Sequence, residues 1–403
     1  MKYDAIVVGA GPAGSAVAIL LAEHGHSVLL LDKAAFPRPK LCGEYLSPEA
    51  SRILDRLGVL KAVDTAGAVP LRGMRITAPD GTVLEGRYPT EGPYRGYRDH
   101  ALAIPRLTFD QILLDRARAL PVEVRERHRV EDLLLDGDRV VGVRGVGPDG
   151  AGFEARSPLV VGADGRQSLV ARRLDLIESH ALRRMALLTY VEGIGGFRDL
   201  GEIYVDPPDY AILNPVAPGT VSLSLVVPLR HATPYSGKLD AFFHARLKQL
   251  DHLRPRIATM RPVGPVAALG PLAYRVKPPR HAGVLLVGDA AGFYDPFTGE
   301  GIYTALRSAE LAAEVGHRAL VRGDCSRAVL APYRRARRQA FRDKERVTRL
   351  LQMVIGRRWL ANLVAHRLVR RPDLLGLLMG VIGDFVPPRA LLSPRLVFDR
   401  QRS

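Results

Sequence analysis

Three segments rich in glycine and acid lie far apart in this chain, and together they describe one pocket. The first is Gly9-Ala10-Gly11-Pro12-Ala13-Gly14, followed further on by Asp32 and Lys33. The second is Gly162-Ala163-Asp164-Gly165-Arg166-Gln167-Ser168. The third is Gly288-Asp289-Ala290-Ala291-Gly292, which continues through Asp295-Pro296 to Gly299-Glu300-Gly301-Ile302. In the first segment Gly9 suits a tight turn, Gly11 lets backbone approach a pyrophosphate, and Gly14 lets a helix pack on a sheet. Pro12 and Ala13 would open that helix, whose unpaired N–H groups and partial positive charge face phosphate. Asp32 ends the next strand, where a carboxylate can accept hydrogen bonds from a ribose.

The surrounding pattern can position these groups. Asp4 to Val8 is an apolar run ending in glycine and reads as a buried parallel strand. Ser15 to Glu23 is rich in alanine and leucine, as the crossover helix should be, and Ser27 to Leu31 is the second strand. A further Gly-x-Gly-x-x-Gly, Gly145-Val146-Gly147-Pro148-Asp149-Gly150, lacks a helix pattern after it. Its Pro-Asp-Gly sits between Val140–Arg144 and Gly152–Arg156, which predicts a hairpin turn. One dinucleotide fold is therefore expected, with no separate nicotinamide domain.

Taken in this order, the three segments resemble the flavoprotein monooxygenase and geranylgeranyl reductase superfamily, the para-hydroxybenzoate-hydroxylase-like flavoproteins. The resemblance implies bound FAD, with NADPH or NADH as a transient reductant docking on the flavin domain. It implies an α/β fold: a discontinuous Rossmann-like FAD-binding domain, an inserted, mostly antiparallel β-sheet substrate domain, and a helical C-terminus. The expected division is 1–67, 101–175 and 273–330 for the FAD domain, 68–100 and 176–272 for the substrate domain, and 331–403 for a basic helical end. Asp164 and Gly165 would touch the flavin, although Asp and Ser here also suit a helix cap. Gly288 and Asp289 would hold ribityl or ribose hydroxyls. The loop from Pro296 through Gly299 to Gly301 and Ile302 would pass the isoalloxazine, its helix N-terminus favouring the electron-rich edge of reduced flavin. Arg106, in Arg106-Leu107-Thr108-Phe109-Asp110, matches a helix start whose arginine contacts FAD; the alternative is a surface salt bridge.

The segment Pro37-Arg38-Pro39-Lys40-Leu41-Cys42-Gly43-Glu44-Tyr45 resembles the Pro-x-x-Lys-x-Cys-Gly stretch of geranylgeranyl reductases, related halogenases and lipid-quinone hydroxylases. It places Cys42 near the flavin and makes Cys42 and Tyr45 the candidate catalytic residues; a small buried residue is the other reading of Cys42. Two departures bear on substrate. Geranylgeranyl reductases carry Tyr-x-Trp-x-Phe-Pro, whereas this chain has Tyr210-Ala211-Ile212-Leu213-Asn214-Pro215. Flavin halogenases carry Trp-x-Trp, whereas the sole tryptophan here is Trp359. The leading expectation is an NAD(P)H-dependent FAD monooxygenase. It would hydroxylate or epoxidise a hydrophobic aromatic, quinolone, quinone or polyketide through oxygen added at flavin C4a, in a biosynthetic pathway. The alternatives are a reductase saturating an isoprenoid or quinone double bond, and a flavin electron-transfer protein. Tyr204, Tyr210 and Asn214 are the candidate substrate-facing residues.

The remaining composition limits other classes. The chain has 403 residues, a formal net charge of +16 and two cysteines, Cys42 and Cys325, which do not make a disulfide framework. No metal spacing, nucleophile–histidine–acid order or Walker loop is present. His24 and His26 flank Gly25 and read as a solvated turn. Between Arg334 and Arg371 there are thirteen Lys or Arg against two acids, with Trp359, Leu360, Leu363, Val364 and Leu368 interleaved. Such a basic amphipathic region could touch an anionic membrane surface or be a solvated face. A strand starting almost at Met1 leaves no room for a signal peptide, so the expectation is a cytoplasmic protein with peripheral contact at the inner membrane face. No nucleic-acid module is visible.

Overall fold

The structure, a computed structural model, describes residues 3–392; the end of the basic 331–403 segment, from 393 on, lies outside the described residues. Five parallel strands stand in the order Val284–Leu286, Leu159–Gly162, Ala5–Val8, Val28–Leu31 and Val122–Arg125. Every residue of the first four is buried, as a sheet covered on both faces requires. Val8 pairs with both Leu31 and Gly162, and Gly162 pairs with Leu286. This register brings Gly9, Asp32, Ala163 and Val287 to one edge, where the strands' carboxyl ends point. Three motifs remote in sequence thus meet in one crevice, the expected ligand site of a doubly wound sheet.

Helices Pro12–Glu23, Arg106–Arg118 and Gly301–Val321 share one core on one face of this sheet, built from residues such as Val17, Leu21, Phe109, Leu113, Leu306 and Leu311. The strands Arg129–Asp136, Arg139–Val146 and Gly152–Arg156 form an antiparallel sheet on the other. Val143 pairs with Ala155 there, so Pro148-Asp149-Gly150 is a hairpin turn and not a second dinucleotide loop.

The second sheet has eight strands and is antiparallel except where Gly73–Thr77 joins Gly201–Asp206 in parallel. Its central strands are Arg184–Glu192, Thr220–Pro228 and Asp209–Ala217. Side chains alternate across it with period two. One face carries Tyr210, Ile212 and Val226 toward Tyr45 and Phe297; the other carries Leu213, Leu223 and Leu225 toward Phe242 and Phe243 of helix Leu239–Leu247. Helices Arg327–Ile355, Arg358–Val369 and Pro372–Ile382 close the first face, burying Ile355, Ala361, Ala365, Leu375 and Met379 against it.

Candidate active site

The pyrophosphate end is built from backbone. Gly9 has φ +101°, and a Cβ on Gly14 would strike the Gly9 carbonyl oxygen, so neither position admits another residue without moving the turn. Asp32 is locked by two backbone donors, Ala10 N and Ala34 N, each 2.8 Å from its carboxylate. Pro12 and Ala13 open the helix as expected, while Lys33 is exposed. Above Gly11 the space is open apart from the Arg38 guanidinium, which would lie 3.4 Å from a Cβ there. Arg38 is also 3.9 Å from Asp32 and 3.5 Å from Asp110. A cation over an open glycine turn at a helix N-terminus fits a pyrophosphate.

In the second motif, Asp164 fills the helix-capping role that its sequence allowed and keeps one oxygen unused. Its Oδ2 accepts from Leu169 N at 2.6 Å and Val170 N at 3.3 Å, capping helix Leu169–Arg173, while its Oδ1 is buried with no partner. That orphan acceptor is free for a ligand, and burial raises the carboxyl above its usual range. Gly165, at φ +74°, would place a Cβ 3.9 Å from Lys40 Nζ. Burial also raises Asp289, opposed by Lys40, Arg166 and Arg106 nearby. Arg166 spans Tyr274 and Phe293 and donates to Leu272 O at 2.8 Å. Gly288 turns the chain at φ +56° beside Ala13, joining the first and third motifs. Past Pro296, Gly299 turns at φ +68° with no room for a Cβ, which would lie 2.6 Å from the Tyr45 ring. Gly301 and the buried Ile302 then start a helix that runs to Val321.

Beside this loop lies a buried polar cluster. Arg106 is no surface residue: its guanidinium makes a bidentate pair with Asp110 at 2.6 and 2.7 Å inside the protein, next to the Cys42 thiol. Burial pushes that thiol up, so it rests protonated. Glu44 is fully buried at φ +59°. Its Oε1 accepts from Arg106 N at 3.2 Å and from the Tyr190 hydroxyl, and its Oε2 has no partner. Burial raises Glu44 to about 7, partly offset by those donors. Tyr45 is buried, with its hydroxyl shared with that of Tyr88.

The three substrate candidates separate. Tyr210 and Asn214 lie on the sheet face toward this cluster. Tyr210 donates to Asp295 Oδ1 at 2.7 Å, an oxygen that also accepts from Gln352 at 2.6 Å and Phe297 N at 2.9 Å. Asn214 donates to Gly43 O at 2.9 Å, leaving its own Oδ1 buried and unpaired. Tyr204 is a correction. It pairs with Ala211, faces Leu213 and Phe243, and donates to Glu202 at 2.8 Å, all on the opposite face. One position of register decides this, and the apolar pattern of 201–217 does not. The His24–His26 turn is exposed at His24 and Gly25 as expected, with His24 stacked on His317 at 4.1 Å between centroids and His26 Nε2 2.8 Å from His317 Nδ1.

Sequence reasoning passed over Glu44, Arg38, Lys40, Tyr190, Asp295 and Gln352 as functional residues. Arg38 and Lys40 sit inside the Pro-x-x-Lys-x-Cys-Gly stretch and Glu44 directly follows it, where a charge beside a flavin motif was an available signal. Tyr190 and Gln352 had none, because their partners are 146 and 57 residues away.

A FAD-binding α/β protein, with a large antiparallel sheet packed beside the cofactor motifs, is what this geometry defines. The chain belongs to the family described as FAD binding domain, which matches residues 2–348. It is an FAD-dependent oxidoreductase. Digeranylgeranylglycerophospholipid reductase 2 of Methanopyrus kandleri is 32% identical over 344 residues, 83% of this chain and 81% of that protein. The myxobacterial chondrochloren halogenase superposes with a TM-score of 0.79 at 27% identity, covering 84% of this chain and 80% of that one. A flavin-dependent brominase superposes with a TM-score of 0.86 over 99% of this chain and 100% of its own; at 21% identity it speaks to the fold alone.

Proposed function

We propose that the protein is an NAD(P)H-dependent monooxygenase of a hydrophobic hydroxyaromatic compound, such as an alkylated phenol, quinolone, quinone precursor or aromatic polyketide. The observation that carries this reading is a polar row on an otherwise apolar wall. Tyr190, Ser222 and Asn214 are neighbours across three strands by register, directly beside Gly43 and Glu44. Three buried oxygens there lack partners: Asn214 Oδ1, Ser222 Oγ and Glu44 Oε2. Unpaired buried acceptors are costly and suit a substrate hydroxyl donor better than a plain isoprenoid chain.

Bound FAD supplies two-electron reduction and oxygen activation. The protein's own residues bind, orient and move a proton. Asn214 Oδ1 accepts from the ring hydroxyl and fixes the ring's orientation. Glu44, poised near neutrality, removes the hydroxyl proton, because an aromatic ring becomes a better nucleophile as its phenol ionises. Tyr190 and Arg106 N hold the carboxylate in place before it takes that proton. Ile212 and the C-terminal helices supply the apolar walls that exclude water. Asp164, Asp289, Arg38 and the Gly9–Gly14 turn hold the cofactor.

A second reading is saturation of an isoprenoid or quinone double bond, supported by the reductase relatives; Glu44 or Cys42 would then deliver the proton. Product mass separates the two. Incubation with NADPH, oxygen and an alkylphenol panel should add one oxygen; two added hydrogens on a prenylated acceptor, with no oxygenated product from any phenol, would overturn the first reading. Among the described residues no helix is long and apolar enough to cross a membrane. Exposed Met353, Trp359, Leu363 and Val369 alongside arginines support peripheral contact with an anionic bilayer at the cytoplasmic face.

A further inference from the structure

Outside the flavin crevice, helix Arg327–Ile355 and the edge strand Val284–Leu286 border a half-open cavity of about 740 Å³. That is the size of a site for one small organic ligand. Its floor is apolar, formed by the edge strand with Pro278 and Ala331. Its wall is cationic. Arg334, Arg338, Arg342 and Arg346 follow one another at four-residue spacing along one side of the helix, so like charges stack turn upon turn and repel. Little offsets them. Glu345 is the only acid of the lining; it lies 3.6 Å from Arg349, and Arg346 is 3.1 Å from Asp343. Among the described residues no carboxylate lies within ion-pair distance of Arg334, Arg337, Arg338 or Arg342.

Two further atoms point the same way. Arg337 Nε and His281 Nδ1, both from lining residues, are buried with no hydrogen-bond partner. A buried unmet donor beside a row of unpaired guanidinium groups is costly in the empty state and relieved by an anion. Guanidinium forks match phosphate oxygens, and the apolar floor selects an anion that carries carbon with it. Ala291 lines the cavity and belongs to the Gly288–Ala291 turn that bears Asp289, so the cavity abuts the flavin site from the far side.

We propose that this cavity binds an organic phosphate with an apolar or aromatic portion. Two sources share that chemistry: the phosphates of a nicotinamide dinucleotide and the phosphorylated headgroup of a lipid. The site lies outside the crevice and does not depend on the oxygen-transfer reading.

Titration calorimetry of the FAD-loaded protein tests it, without turnover. The probes are the oxidised dinucleotides NADP+ and NAD+, which cannot reduce the flavin, and dihexanoylphosphatidylglycerol below its micelle concentration. The variants are Arg338→Glu, the milder Arg342→Gln, and Arg367→Glu on the exposed side of the next helix as a control of equal charge change. At least one probe should bind the parent protein, more weakly as salt rises. Arg338→Glu should weaken it by about tenfold or more, Arg342→Gln by less, and Arg367→Glu not at all. Arginine-dependent binding of a nicotinamide dinucleotide assigns the site to the reductant; arginine-dependent binding of the phospholipid alone assigns it to a lipid headgroup. The inference is overturned if no probe binds, or if Arg338→Glu and Arg342→Gln, folded and carrying FAD, bind as the parent does.

Discussion

Replacing Glu44 by Gln tests the centre of the proposed chemistry twice, through activity and through stability. The substitution keeps the shape, the acceptor for Arg106 N and an oxygen near Tyr190, but removes the titration. A side chain acting as a general base contributes on the order of 100-fold or more, so kcat/KM should fall by at least about that factor. In the parent protein the acidic limb of kcat/KM should turn near 7, the value to which burial raises Glu44, and the limb should vanish in Glu44→Gln. The stability effect has a fixed sign. The carboxyl titrates at 4.5 when solvated and about 7 when folded, so between those values the folded state holds the extra proton and stability falls as pH rises. Below 4.5 there is no penalty; above about 7 it is complete. The shift corresponds to about 3 kcal/mol. Denaturant unfolding of both proteins from pH 4 to pH 8 should therefore show Glu44→Gln gaining on the parent by up to that amount, while terms common to both cancel. A difference flat with pH, or a variant with parental activity and pH profile, would refute both the buried carboxyl and its role.

The other predictions concern placement. Gly299→Ala forces a side chain into a left-handed position against the Tyr45 ring and should cost about 1–3 kcal/mol and shed flavin, read as a lower ratio of flavin to protein absorbance on purification. Asn214→Leu should raise KM for a hydroxyaromatic substrate, whereas Tyr204→Phe, on the far face of the sheet, should leave turnover unchanged; the reverse pattern would place the substrate elsewhere. Asp295→Ala removes an oxygen that accepts three hydrogen bonds and should destabilise the protein by about 1–3 kcal/mol, measured by unfolding at pH 5, below the value near 6 to which burial raises this carboxyl, so that relief of a buried charge does not offset the loss. Trp359→Ala combined with Leu363→Ala should reduce sedimentation with phosphatidylglycerol vesicles, and equal sedimentation would dismiss membrane contact by this face.

Much of the cofactor end was legible because its constraints are local. A glycine turn followed by a helix and a strand-end carboxylate needs particular residues at particular spacings, and the third motif's Gly-Asp and Pro-to-Gly loop repeat that demand. The hairpin at 148–150 was legible for the same reason, since Pro-Asp-Gly has few backbone options. Beyond the turns, signals weakened. Arg106 was ambiguous between a cofactor contact and a surface ion pair, and only its burial against Asp110 removed the second. The basic stretch 334–371 read as one amphipathic region, yet it folds into helices whose apolar positions seal the large sheet and whose arginines line a cavity.

Local residue chemistry sets where backbone must turn tightly and where strands are buried, and it marks the loops suited to a dinucleotide cofactor. These follow from steric limits within a few residues. Long-range strand pairing fixes which face of a strand turns toward Glu44 and Tyr45, and so separates Tyr204 from Tyr210 and Asn214. Only the tertiary structure decides that Glu44 titrates near neutrality. Desolvation raises that value and the Tyr190 donor, 146 residues away, holds it back, and neither is written in any local spacing.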